Sequence, residues 1–300
     1  MFRFLSKESN IFSIPVYIGF LLLIVIAFNA LNFSTFGAAT AFITFAGIAL
    51  GYFCFNAIGL TYQTHLPLFL YSFFIFAFYS GNMDIGLAVS LLTSSFLILI
   101  LTSNDDEIRK KSYVLVGAIL AVNFIFLPVT WPLILFVIIH IIGTSDRIGL
   151  HVFRLFFGAL LVALSYFGIM YMIDFRSWDE SYFPFSGLKP ITDFQQLYYL
   201  IPVALLLIYA VFDHFANFNK KSPVSKYKYT FLLIFSLAQL ITIILYMGNQ
   251  YQYLLLMGLP ASIILTRVLR FADKDWKQEA GLWLIIACLV TFKLTGYFLH

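Results

Sequence analysis

Long apolar runs follow one another along this chain, separated by short polar stretches, and none of the long runs carries the continuous polar face that a helix needs against water. A helix crossing roughly 30 Å of hydrocarbon needs about 20 apolar residues. By that measure the pattern predicts helical spans near 11–31, 37–58, 66–80, 84–102, 113–129, 131–145, 149–174, 196–214, 229–247, 251–270 and 279–299. The expected fold class is therefore all-α, a polytopic transmembrane bundle of about 11 spans forming one domain over residues 1–300. Segments 66–80, "LPLFLYSFFIFAFYS", and 131–145, opening "WPLILFVIIHIIG", are short for a full crossing, either as short spans or as a hairpin that does not traverse.

Charge gives this pattern a direction. With the N-terminus inside, all of the 18 Lys and Arg except Arg176, Lys189 and Lys293 fall on or near the inner side, as the positive-inside rule requires. That predicts an inner N-terminus, an outer C-terminus, a basic cytoplasmic loop at 215–228 and an outer-face loop at 176–196. The outer stretch "RSWDESYFPFSGLKPITDFQQ" contains Pro184, Gly187 and Pro190, so turns on the membrane surface are expected there, not one continuous helix.

Composition agrees with the pattern. The chain of 300 residues is 62% hydrophobic and 11% charged, where soluble domains carry about 25% charged residues. A net charge of +4 is spread in short clusters between apolar runs, which fits topology and excludes a nucleic-acid partner. Cys54 and Cys288 sit within apolar runs without metal spacing and read as buried thiols. The first apolar run is too long for a signal-peptide core of about 7–15 residues and is read as a membrane span. Walker A, GxSxG, HExxH and dinucleotide fingerprints are missing, and neither a cofactor nor a metal is expected.

Candidate chemistry is confined to a few residues. Asp179 and Glu180 are the candidate catalytic acids, and Trp178 and Tyr182 beside them offer the rings that a sugar site uses; interfacial anchoring explains the same residues equally simply. Arg147, His151 and Arg154, spaced four and three apart, suggest a helical face able to hold an anionic lipid head group, against a plain reading as interfacial anchors. Asn123, Gln239 and Lys293 are polar groups within apolar spans; interhelical hydrogen bonds account for the first two, and Lys293 can reach toward the outer interface. Gly47, Gly51, Gly158 and Gly168 mark close helix seams.

The opening "MFRFLSKESNIFSIPVYIGFLLL", together with "THLPLFLYSFFIFAFYSG" and "VLVGAILAVNFIFLPVTWPLILFVIIHIIG" leading into "DRIGLHVFRLFFGALLVALSYF", resembles a family of polytopic inner-membrane proteins of Bacteroidota. The succession of short spans between long ones is also similar to the membrane core of GT-C glycosyltransferases, which use polyprenyl-linked sugars on the outer face. That family places a catalytic acid in a long first outer loop, where this chain has only "NFSTFG". The resemblance therefore implies a non-catalytic membrane subunit or accessory factor of envelope biogenesis in a bacterial cytoplasmic (inner) membrane. Its expected partners are membrane lipids and other envelope proteins, with a lipid or lipid-linked substrate held in a cleft. A glycosyltransferase or polymerase, and a transporter or flippase, stay open as alternatives, and the residues leave open whether the protein is an enzyme.

Overall fold

A computed structural model describes residues 1–7, 12–30, 35–60, 64–103, 111–175, 182–192, 194–272 and 274–298. Among them there is no β-strand, and the helices are α1 (Phe2–Leu5), α2 (Ser13–Asn29), α3 (Thr35–Ile58), α4 (His65–Phe78), α5 (Ile85–Leu101), α6 (Tyr113–Phe126), α7 (Pro132–Thr144), α8 (Ile148–Met172), α9 (Ile201–Ala216), α10 (Pro223–Tyr246), α11 (Leu255–Arg270) and α12 (Asp275–Phe298). Each predicted apolar segment overlaps one helix from α2 to α12. Six stretches, within α3, α8, α10 and α12 and spanning α9 and α11 with their preceding turns, are long and apolar enough to cross a membrane. The other apolar helices are shorter, and they include α2, α5 and α6 as well as the two short segments expected from sequence.

Local chemistry sets these lengths. Leu127 precedes Pro128, which disfavours helical geometry, so α6 stops at Phe126 and a single 3-10 turn, Pro128–Thr130, leads to α7. Asp84 caps α5, its Oδ1 accepting from the amides of Gly86 at 2.7 Å and Leu87 at 3.4 Å. Ser222 caps α10 by accepting from Ser225 N at 3.3 Å, with Pro223 in the first turn, so the basic stretch expected to be a loop as far as 228 is helical from 223 onward. On the opposite side, Pro184–Gly187 forms a 3-10 turn, and Lys189 exchanges two backbone hydrogen bonds with the 245–248 turn.

α4 and α11 pack together at the centre, with α10, α5 and α12 around them. In the crossing stretches, 67% of α11's is buried but only 11% of α8's, whose Phe153, Leu164 and Met172 face outward. Water would not tolerate that apolar surface, whereas hydrocarbon solvates it. α8 is nevertheless held tightly against α6. A β-carbon on Gly117 would overlap the carbonyl oxygen of Leu155, and one on Gly158 would overlap that of Val114. The expected seam at Gly158 is thus a contact within the chain, while Gly168 has open space beside it. Gly47 meets the Leu92 backbone in the same manner.

Helix C-termini leave carbonyl oxygens unpaired, a cost that rises away from water. Side chains from distant helices satisfy several of them. Lys228 donates to Ala57 O at 3.1 Å and Ile58 O at 3.0 Å at the end of α3. Tyr227 donates to Leu101 O, the last residue of α5, at 3.0 Å, and its oxygen is then open to accept from His140 Nε2 at the same distance. Lys293 donates to Tyr79 O at 2.6 Å, just past α4.

Candidate functional site, a basic cleft

The lysine-rich stretch after α9, the end of α11 and the start of α12 lie far apart in sequence, yet they converge on one end of the bundle. Together with the end of α3 they enclose a cleft of about 1310 Å³. Among the described residues, its polar walls carry Lys220, Lys221, Lys228, Arg267 and Lys277 and one carboxylate, Asp213. Leu206, Tyr209, Val268 and Leu269 add apolar surface to the walls.

Several of these cations are fixed in place. Arg267 donates to Ser225 Oγ at 3.1 Å while its guanidinium lies over the Tyr229 ring at 4.7 Å and near Phe271 at 5.5 Å. Lys221 contacts His214 Nδ1 at 3.1 Å and donates to the His214 carbonyl at 3.2 Å. An ammonium has no lone pair, so Nδ1 of His214 must accept, which puts the ring proton on Nε2, 3.0 Å from Thr230 Oγ1. Burial, and after it the nearby Arg267 charge, hold the Lys221 ammonium below the ordinary lysine range. The arrangement suits an anion whose oxygens take several donors at once and whose apolar part continues between the helices.

The residues singled out from sequence are distributed differently. Trp178, Asp179 and Glu180 lie outside the described residues. Tyr182 hydrogen-bonds Tyr166 at 2.7 Å and borders a separate apolar groove of about 560 Å³ between α6, α7 and α8. Arg147 precedes α8 and is exposed, and Arg154 is half-buried. His151 turns inward, bonded to Ser145 Oγ and resting on Tyr113 with ring centroids 4.9 Å apart. None of these three lines the basic cleft.

Asn123 and Gln239 are fully buried and join helices, both through α5. Thr93 Oγ1 donates to Asn123 Oδ1 at 3.1 Å, and Asn123 Nδ2 donates to Thr130 at 2.9 Å. Gln239 Nε2 donates to Ser94 Oγ at 3.1 Å, and its Oε1 is buried without a partner. Lys293 is buried, with its ammonium 4.4 Å from the Phe28 ring centroid. The three thus occupy separate places and do not surround one cavity. Among the described residues no three His, Cys, Asp or Glu side chains gather as a metal site would need.

Sequence reading had assigned the lysines of the cleft to topology alone. The signal in the sequence is the spacing of Ser225, Lys228 and Tyr229, three and four apart, which places them on one face of a helix.

Among the described residues, fold and site define an all-helical bundle, with six stretches long and apolar enough to cross a membrane and a cationic cleft at one end. A family model matches residues 1–298, and the chain belongs to that family, a family of unknown function (DUF6427). No curated protein and no solved structure matches the chain.

Proposed function

We propose that this protein is a multi-pass membrane protein that holds the head group of an anionic lipid, or of a lipid-linked phosphate, in the basic cleft. Its role on this reading is that of a non-catalytic subunit or accessory factor in the bacterial cell envelope. The observation that carries the proposal is the cleft itself, in which, among the described residues, five cationic side chains and one carboxylate stand with an apolar wall from α9 and α11. A free phosphate would need the cations but not the wall. A neutral lipid would need the wall but not the cations. The topology proposed with it is an N-terminus and cleft on the cytoplasmic side, an outer C-terminus and eleven crossings, the shorter helices crossing in a locally thinned bilayer.

The test is native mass spectrometry of the full-length protein after gentle extraction and exchange into mixed phosphatidylglycerol and phosphatidylcholine. Retention of phosphatidylglycerol at unit stoichiometry is expected, with about tenfold weaker retention in the Lys221→Ala/Arg267→Ala double variant. Equal retention of both lipids, or retention untouched by the double variant, would remove the head-group reading. Co-recovery of other envelope proteins in unit ratio would support the accessory role, and glycan transfer by the purified chain alone would overturn it.

A further inference from the structure

A second polar cavity, of about 620 Å³, opens at the other end of the bundle. Lys277 lines the cleft and Lys293 lines this cavity, both on α12, so the two openings lie about 24 Å apart at 1.5 Å rise per residue. The same separation is made by α11, which reaches the cleft at Arg267 and approaches the second cavity at Tyr253, just before its first turn.

The lining chemistry here is of another kind. Among the described residues, Asn82, Gln196, Asn249, Gln250 and Gln252 contribute five carboxamides, with one acid, Asp84, and one cation, Lys293. Both charges already serve the fold: Asp84 Oδ1 caps α5, and Lys293 donates to Tyr79 O at 2.6 Å. Two of the amides are held in place by their nitrogens. Gln252 Nε2 donates to Ser80 Oγ at 2.6 Å and Gly81 O at 2.9 Å, and Gln196 Nε2 donates to Phe292 O at 3.1 Å. Their Oε1 atoms, which have no partner among the described residues and are not sealed off from solvent, remain as acceptors. Asn249 receives only a long 3.5 Å contact from Thr192 on its Oδ1, which leaves its Nδ2 as a donor, and Gln250 stands exposed at the rim. Tyr251, half-buried and edge-on to Phe292 at 5.8 Å, adds aromatic surface.

We propose that this cavity binds an uncharged polyhydroxylated ligand, a saccharide or polyol. Hydroxyl groups donate and accept at once, so they match a wall of fixed acceptors and free amide donors. Aromatic surface covers the apolar C–H face of such a ligand. An anion would find one lysine, already engaged and sharing the cavity with a carboxylate; a cation would find that carboxylate committed to a helix cap. The volume lies within the usual range for small-ligand sites, about 300–1000 Å³. This site is independent of the head-group reading of the cleft, and its ligand has two sources, a free sugar or the sugar head group of a lipid.

The experiment uses the full-length protein in phospholipid nanodiscs and saturation-transfer NMR with methyl glucoside, N-acetylglucosamine and inositol as free probes. A parallel binding measurement uses nanodiscs doped with glucosyl diacylglycerol. Signal from a free probe supports the site with a free ligand, and binding of the glycolipid alone supports it with a lipid-borne one. In either case the Asn249→Ala/Gln250→Ala variant, altered only at exposed rim positions, should weaken binding about tenfold. The cleft variant Lys221→Ala should leave it unchanged. No binding of any probe, binding that survives the rim variant, or loss caused equally by Lys221→Ala would overturn the proposal. A failed lipid-retention test at the cleft leaves this outcome unaffected, since the probes differ and the rim variant does not touch the cleft.

Discussion

The two ends of the bundle use the same device in different company. At one end Lys228 reaches across to the last carbonyls of α3, and at the other Lys293 does so for α4. Around Lys228 the wall adds four more cations; around Lys293 it adds carboxamides, tyrosines and one acid. A buried lysine in an apolar helix therefore does not by itself mark a ligand site. Its neighbours decide whether the surrounding space is cationic, and here only one of the two spaces is.

The sharpest way to break the comparison is to remove the device from each end separately. Lys228→Met and Lys293→Met should each destabilise the protein by about 2–3 kcal/mol, the range for a hydrogen-bonded charged group whose buried partners are left behind. Chemical unfolding in detergent micelles measures this, and a Lys293→Met variant as stable as the parent would mean that the carbonyl contact at that end contributes nothing. A smaller effect is expected midway between the ends. Asn123→Leu loses both Thr93 and Thr130, and should cost about 1 kcal/mol while leaving ligand retention at both ends intact. If it altered retention at either end, the two sites would be coupled through α5.

The smallest effect sharpens the electrostatic contrast. Lys221 has its ammonium held below the ordinary lysine range, so it loses its proton earlier as pH rises. The cleft then loses a positive charge, and anionic-lipid retention should fall a few-fold between neutral pH and the ordinary lysine range near about 10.4. Lys221→Arg should flatten that fall, because guanidinium stays charged throughout. Ligand binding at the amide-lined cavity should not follow the same curve.

Much of the fold is legible in one dimension. Eleven apolar segments are readable as helices because each carries its own solvent preference, whereas the start of α10 at Pro223, six residues before the predicted span, follows from the Ser222 cap and is not set by hydropathy. Neither cavity was legible in the same way. The cleft takes residues from 57–60, 206–228 and 267–281, and the second cavity takes them from 77–87, 196, 249–253 and 292–296. Hydropathy ranks each residue against lipid or water and says nothing about which helix ends meet. Lys228 shows this most plainly: in sequence it is one more basic residue beside an inner loop, and in the fold it is buried against carbonyls about 170 positions away, which no local pattern encodes. Gln196 lines the second cavity, while Trp178, Asp179 and Glu180, the outer-loop candidates, fall outside the described residues.

The paired glycine contacts between α6 and α8 have a mechanical meaning. Gly117 and Gly158 bring backbone against backbone, and no side chain stands between the two helices at those points to bend or change rotamer. To slide lengthwise, α8 would first have to lift away from α6, because each displaced step drives a neighbouring side chain into a carbonyl. Turning about the contact requires no such lift. α8, whose crossing stretch is only 11% buried, is thus keyed lengthwise to α6 by two backbone contacts while most of its surface faces the surrounding medium.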